Sequence, residues 1–225
     1  MIYGEYRLAD EGIDEFSWEM GVVEIPATIT NCTELASIPS TIKTLIFADN
    51  ACNDWISPEL DLEGFEKLEK VEIGSNALNT VENVMLSNLP NLKVFNTGIL
   101  SFQNCEAFTV NNSPSLRKIS IGDYSFNSAF VFNVDSSSKN SLESIQIGSG
   151  CFQGNANSLS SLSFNLQSSS SLKQLHIGSQ SFSHFNSFNI NGIHYYETMI
   201  TNRLLESSER SARNDITNIR WSDHW

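Results

Sequence analysis

Apolar residues recur along the chain in a fixed order. A leucine is followed by apolar residues three and five positions later, by a glycine at the sixth position, and by another large apolar residue at the tenth. The clearest copies open at Leu68, Leu92, Leu116, Leu142 and Leu172. Successive openings are 24, 24, 26 and 30 residues apart, a spacing typical of solenoid repeats. The pattern therefore predicts an array of similar turns.

Further features complete the repeat. An earlier, degenerate copy opens at Ile42, which brings the number of copies to six. Thr97, five residues after Leu92, is polar where the other copies have an apolar residue. The residues at the tenth position are Cys52, Leu78, Phe102, Phe126, Phe152 and Phe182. A second apolar pair separates most copies, at Leu60 and Leu62, Val84 and Leu86, Phe108 and Val110, Phe132 and Val134, Phe164 and Leu166, and Phe188 and Ile190.

The alternation predicts the secondary structure. Apolar residues at every second position indicate strands with one buried face. A unit of this length cannot bury its own apolar face, so the copies are expected to stack with equivalent strands paired in parallel. The glycine after each strand is expected to adopt positive φ at a sharp bend. We predict a mainly β solenoid with the phenylalanines in one file.

The repeat resembles that of the leucine-rich repeat family. The segment 38–53 is similar to the usual form, and the Ser-Phe or similar pair near the tenth position resembles the BspA-like variety of bacterial and protist surface proteins. The resemblance covers about residues 35–190. It implies a right-handed solenoid with a parallel concave sheet, short second strands on the convex side, and a role in binding.

The repeats divide the chain into three parts. Residues 1–34 are expected to form an acidic N-terminal cap, residues 35–190 the solenoid, and residues 191–225 a degenerate cap or tail with a polar helix from Glu197 to Arg213. Two alternatives stay open for the C-terminal part. Either it caps the stack, or the chain stops short of a longer array whose apolar end would favour self-association over a monomeric state.

The net charge of −13 limits the classes of partner that are expected. Through Glu82 the chain has 17 acidic and 4 basic residues, and the remainder has 9 of each. An acidic end repels nucleic acid and anionic lipid, so neither is expected as a partner. No apolar run is long enough to span a membrane, and residues 1–10 do not read as a signal peptide. The sequence assigns no compartment; the resemblance implies the cell surface.

Candidate chemistry is sparse. The four cysteines match no zinc or redox spacing, and we expect buried thiols at Cys52, Cys105 and Cys151. The four histidines form no metal-binding pair, and no nucleophile, phosphate-loop or dinucleotide motif occurs. No catalytic residue, metal or cofactor is therefore predicted.

The outward residues of the strands are the candidates for binding, because stacking aligns them in rows while the core repeats. The predicted binding residues are Lys70, Glu72, Asn96, Lys118, Ser120, Gln146, Gln174 and His176. On the second strands, Asn133, Asn165 and Asn189 are expected to stack as an amide ladder.

These features favour a non-enzymatic scaffold that binds a protein or a surface glycan. One alternative is an enzyme of the parallel β-helix type that acts on polysaccharide, which would need carboxylates brought together from neighbouring turns. Another is a fragment of a larger receptor or adhesin. The outward acids Asp61 and Glu72 are the sequence's few candidates for the enzyme.

Overall fold

The computed structural model describes residues 25–135, 141–154, 162–167 and 171–191. These residues form two parallel sheets and one 3-10 helix, Cys32–Ser37. Sheet A contains β1 (Ala27–Ile29), β2 (Thr44–Phe47), β4 (Lys70–Ile73), β6 (Val94–Thr97), β8 (Lys118–Ile121), β10 (Ser144–Ile147) and β12 (Gln174–Ile177), paired in that order. Sheet B contains β3 (Glu59–Asp61), β5 (Asn83–Ser87), β7 (Ala107–Asn111), β9 (Val131–Asp135), β11 (Ser163–Gln167) and β13 (Ser187–Asn191), also paired in sequence.

Equivalent residues of successive copies pair with each other. In sheet A, Val71 pairs with Phe95, Phe95 with Ile119, and Ile119 with Ile145, each one repeat apart. Sheet B keeps the same order, with Phe108 opposite Phe132. The predicted β solenoid of stacked parallel turns is confirmed, as are the short second strands.

The core is a set of columns between the two sheets. The predicted file of phenylalanines is present: Phe102 stacks on Phe126 at 4.6 Å between ring centroids, Phe126 on Phe152 at 5.2 Å, and Phe152 on Phe182 at 5.0 Å. Phenylalanines of the sheet B strands contact this file edge-on. The ring centroids of Phe108 and Phe126, for example, are 5.4 Å apart. Because like rings stack from Phe102 to Phe182, these turns bury apolar surface that a single copy would leave exposed.

The glycines that end the sheet A strands have a different role from the one expected. Their φ angles are not positive, so the predicted bend at these residues is wrong. Instead, a Cβ on Gly74 would lie 2.5 Å from the Asp49 backbone nitrogen, and one on Gly98 would lie 2.6 Å from the Ser75 nitrogen. The same crowding occurs at Gly122, Gly148 and Gly178. Glycine is required because successive turns approach closely, not because the chain bends there.

Positive φ angles occur just beyond these glycines, at two positions that carry a side chain in most turns. After Gly122, both Tyr124 (φ 57°) and Phe126 (φ 54°) are left-handed. The equivalent residues of the other turns share this conformation: Asn50 and Cys52, Asn76 and Leu78, Leu100 and Phe102, Gly150 and Phe152, and Gln180 and Phe182. Left-handed backbone costs a side-chain-bearing residue roughly 1–2 kcal/mol. Burial of the phenylalanine, about 1.5–3 kcal/mol, offsets that cost.

A column of small residues lies between the two left-handed positions. The hydroxyls of Ser101, Ser125 and Ser181 donate to the glycine carbonyl of the preceding turn at 2.7–2.8 Å. The Cys151 thiol occupies the same position and donates to the Gly122 carbonyl at 3.2 Å. These hydrogen bonds satisfy carbonyls that the sheet no longer pairs.

The side chain of Thr97, the exception in the sequence, replaces one backbone hydrogen-bond acceptor at the end of the sheet A strands. In the other turns the glycine N–H donates to a backbone carbonyl, as Gly98 does to Ile73 at 2.7 Å. Gly122 instead donates to the Thr97 hydroxyl at 3.1 Å. The polar side chain is therefore accommodated in the core by a specific hydrogen bond.

The ends of the stack are described in part. Strand β1 extends sheet A before the first copy, and the helix that follows is capped by Asn31, whose Oδ1 accepts from the Thr33 N–H at 3.1 Å. The backbone N–H groups of Thr30 and Asn31 lower the pKa of the Glu34 carboxyl. Residues 1–24 of the predicted cap and the predicted tail beyond residue 191 lie outside the described residues. Within the described ranges, no helix is long and apolar enough to cross a membrane.

Candidate functional site

The outward side of sheet A, which we call the sheet A face, contains all eight predicted binding residues. One row along it consists of Thr44, Lys70, Val94, Lys118, Ser144 and Gln174, and the next row consists of Ile46, Glu72, Asn96, Ser120, Gln146 and His176. Lys118 pairs directly with Ser144, and Gln146 with His176. Strand pairing therefore places these residues on one continuous surface, with successive residues of each row about 4.8 Å apart from turn to turn.

Side chains on this face form local contacts. The Lys70 ammonium lies 2.7 Å from the Glu72 carboxylate. Gln174 Oε1 accepts from Ser144 Oγ at 3.1 Å and from Gln146 Nε2 at 3.3 Å. The Oδ1 atom of Asn96, in the middle of the face, is buried and has no hydrogen-bond partner in the described part of the chain. The face is thus polar, partly self-paired, and retains unused hydrogen-bonding capacity.

Sequence reasoning missed a third row, which lies beside the sheet A face at the N-terminal ends of its strands. The residue after each opening position is charged in every copy, and these residues immediately precede the sheet A strands. We call them the charged row: Lys43, Glu69, Lys93, Arg117, Glu143 and Lys173. The invariance of charge at this position was visible in the repeat. The period-two pattern does not mark this position, because it precedes the strand.

Ion pairs join part of the charged row between turns. Glu69 pairs with both neighbours, Lys93 and Lys43, the latter at 3.8 Å. Glu143 pairs with Lys173 at 3.5 Å. The hydrogen bond from Lys93 lowers the pKa of the Glu69 carboxyl. Among the described residues, no carboxylate pairs with Arg117 or Lys118.

An apolar patch lies at the opposite edge of the face, where the strands end. Ile99, Leu100 and Tyr124 are 49%, 43% and 46% exposed. A Cβ on Gly150 would lie 2.5 Å from the Tyr124 ring, so that ring rests on the next turn. Gln103 Nε2 donates to the Tyr124 carbonyl. The patch is therefore held by the turn geometry while its side chains stay accessible.

The asparagine ladder predicted on sheet B does not form. Asn133, Asn165 and Asn189 are in register, but Asn189 Oδ1 accepts from Asn191 at 3.0 Å, and no hydrogen bond joins Asn133 to Asn165 in the described residues. Amide ladders occur instead in the turns. The Nδ2 of Asn76 donates to Asn50 Oδ1 at 2.8 Å, and that of Asn112 donates to Asn88 Oδ1 at 2.7 Å. These ladders stiffen the turns.

The cysteines are four free thiols. Cys52, Cys105 and Cys151 are buried, as predicted. Desolvation raises the pKa of the Cys105 and Cys151 thiols to about 12, and it also raises the pKa of Cys32. Thiolate nucleophiles are disfavoured at all three positions.

The arrangement of carboxylates bears on the alternative of an enzyme. Glu72 is on β4 of sheet A and is paired with Lys70, whereas Asp61 is on β3 of sheet B. These two acids therefore belong to different surfaces. Across residues 25–135 and the shorter described segments, no group of three histidine, cysteine or acidic side chains could hold a metal ion.

Known proteins offer no further guide. No family model, curated protein or solved structure matches this chain.

Proposed function

We propose that the protein is a non-enzymatic interaction scaffold of the leucine-rich repeat, BspA-like type, which binds a protein or a surface glycan through the sheet A face. One observation carries the proposal. In the strands of sheet A, the inward residues repeat from turn to turn, whereas the outward residues differ. A constant core therefore presents a varied polar surface.

The physical properties of the face support recognition. Its strands are buried on the inner side and hydrogen-bonded on both edges through most of the stack, so the outward side chains start from fixed positions. A surface that is ordered before binding loses less conformational entropy on association. Polar groups such as Ser120 and Gln146 supply hydrogen bonds, and the exposed charges supply specificity.

The proposal is tested by affinity capture from an extract of the source cells with three forms of the protein as bait. The first is the wild type. The second carries Lys118→Ala, Gln146→Ala and His176→Ala on the sheet A face. The third carries Thr109→Ala, Asn133→Ala and Asn165→Ala, which are outward positions on sheet B. Circular dichroism and urea unfolding establish that all three forms are folded.

We expect a partner that is captured by the wild type and by the sheet B variant but lost with the sheet A variant. Binding of that partner is then repeated with purified components. A partner retained by the sheet A variant and lost with the sheet B variant would place recognition on the other sheet and overturn the proposal.

A further inference from the structure

Charge is segregated on this molecule. The sheet A face and its charged row contain six basic residues and three acidic ones, a local charge of +3. The basic residues are Lys43, Lys70, Lys93, Arg117, Lys118 and Lys173. The rest of the described chain has Lys67 as its single basic residue, against eleven acidic residues. Among the described residues, basic side chains thus collect on and beside the sheet A face, the surface proposed for binding.

The excess positive charge is concentrated on two neighbouring turns. The copies that contain β6 and β8 contribute Lys93, Arg117 and Lys118 to this face, whereas the adjacent turns place Glu69 and Glu143 in the charged row. Backbone hydrogen bonds fix the proximity of the three basic residues, because the Lys93 carbonyl accepts from the N–H groups of Arg117 and Lys118 at 2.8 and 3.1 Å. Lys93 pairs with Glu69, but the other two have no such partner in the described residues.

The apolar patch belongs to the same two turns. Ile99 and Leu100 follow β6, and Tyr124 follows β8. Leu100 and Tyr124 occupy the left-handed position that Asn50 and Asn76 fill in earlier turns, so two apolar residues replace polar ones at this part of the stack alone among the described copies. Basic and apolar groups therefore flank strands β6 and β8 at opposite ends.

We infer that the ligand of this face is an extended polypeptide segment with a run of acidic residues at one end and a large apolar side chain at the other. The inference rests on the proposed function and names the class of partner. A four-residue strand is about 13 Å long, so roughly four to six extended residues separate the acidic run from the apolar side chain. Carboxylates of the ligand pair with Arg117 and Lys118, and its apolar side chain packs on Leu100 and Tyr124.

A polypeptide fits both features, whereas an anionic polysaccharide fits only the charge. Charge complementarity raises the association rate and selects the partner. Apolar contact with the aromatic ring supplies affinity that salt does not screen. The ligand is thus expected to bind more weakly, but still measurably, at high ionic strength.

Fluorescence anisotropy with a defined probe tests the inference. The probe is a labelled peptide with a run of glutamates, a short Gly-Ser spacer and a terminal phenylalanine, used in both sequence directions. Control peptides carry glutamine for glutamate or serine for phenylalanine. Heparin is tested as a competitor, and sedimentation velocity of the protein alone measures self-association.

The repeat itself suggests substitutions that preserve the fold. Arg117→Glu introduces the residue type found at Glu69 and Glu143, and Lys118→Ser the type found at Ser144. Leu100→Asn and Tyr124→Asn introduce the residue of the two earlier turns. Matched controls are Lys67→Glu, a basic residue off the face, and Ile56→Asn, a fully exposed apolar residue elsewhere.

We expect the probe to bind the wild type, with affinity lowered about 10-fold or more by Arg117→Glu with Lys118→Ser, and about 5–10-fold by the paired asparagine substitutions. The two control variants are expected to change affinity less than about 2-fold. With the peptide that carries serine for phenylalanine, the asparagine substitutions should no longer change the affinity, whereas Arg117→Glu with Lys118→Ser should still lower it.

Three results would overturn the inference. The first is equal binding of the glutamate and glutamine peptides. The second is tighter binding of heparin with no effect of the asparagine substitutions, which would identify a polysaccharide site. The third is a salt-sensitive dimer lost on Arg117→Glu, which would identify a second copy as the occupant. If the peptide fails while captured partners still depend on Lys118, Gln146 and His176, the proposed function stands and the inference alone fails.

Discussion

The close approach of successive turns makes a quantitative prediction for Gly122→Ala. The new Cβ would lie 2.5 Å from the Gly98 carbonyl carbon and 2.8 Å from the Ile99 nitrogen. The Gly98 carbonyl oxygen would lie nearer still, and ordinary van der Waals contact begins near 3.4 Å, so the turns must separate locally by about 1 Å. The obstructing atoms are backbone, which cannot rotate away as a flexible side chain would.

The expected loss of stability follows from three contributions. Overpacking of this kind costs about 1–3 kcal/mol. The shift also lengthens the hydrogen bond from Gly122 N–H to the Thr97 hydroxyl, which costs roughly 1 kcal/mol. Replacement of glycine by alanine restricts the unfolded chain and returns about 0.4–1 kcal/mol. The net prediction is a destabilisation of about 1–3.5 kcal/mol.

Urea unfolding followed by circular dichroism measures the change, with two comparison variants. Ser120→Ala, outward on the same strand, should change the free energy of unfolding by less than about 0.5 kcal/mol. Gly64→Ala adds a Cβ that meets nothing within 4 Å, but at φ 99°. It should cost the backbone strain, roughly 1–2 kcal/mol, less the same return of about 0.4–1 kcal/mol from the unfolded chain. A larger loss at Gly64 than at Gly122 would refute the assignment of the glycine column to close packing.

Further predictions concern the core and the thiols. Phe126→Ala, which removes the ring between Phe102 and Phe152, should cost about 3–5 kcal/mol, whereas the exposed Ile56→Ala should cost almost nothing; urea midpoints that coincide would contradict the file of rings. Cys151→Ser should be tolerated within about 1 kcal/mol, because serine already fills this column in other turns, and a loss like that of Phe126→Ala would contradict the column. Burial raises the pKa of Cys105 and Cys151 to about 12, whereas the thiols of the unfolded chain have a pKa of about 8.5. Between these pH values only the unfolded state releases the thiol protons, so stability should fall by up to about 1.4 kcal/mol per thiol per pH unit. Unfolding midpoints measured from about pH 8 to about pH 10 should fall less in the Cys105→Ala, Cys151→Ser double variant than in the wild type, and parallel declines would exclude the thiols as the cause.

The sequence predicted the columns because a column needs only the period. Phe102 and Phe126 are 24 residues apart, and any stack of equal turns places them in contact. The outward rows followed from the same reasoning, since Lys118 and Ser120 alternate with buried isoleucines. These features depend on the order of residues, which the sequence contains.

The features that escaped prediction depend on the distance between turns. The sequence predicts a bend at Gly98, whereas the structure shows that the neighbouring backbone leaves no room for a Cβ there. Thr97 reads as a defect until its hydroxyl is found to accept from Gly122. The amide ladder at Asn50 and Asn76 lies in turns whose left-handed backbone no alternation pattern encodes. Period alone does not specify these distances.

The most direct test of the stacked, in-register turns is a distance between spin labels at Thr44→Cys and Gln174→Cys. A Cys32→Ser background leaves the three buried native thiols, which resist labelling. The two sites share one row of sheet A and are separated by five strand spacings, from β2 through β12. At about 4.8 Å per spacing, pulsed electron paramagnetic resonance should give a narrow distribution centred near 24 Å. A separation beyond about 35 Å, or a broad distribution, would contradict the stacking of like residues on which the proposed face depends.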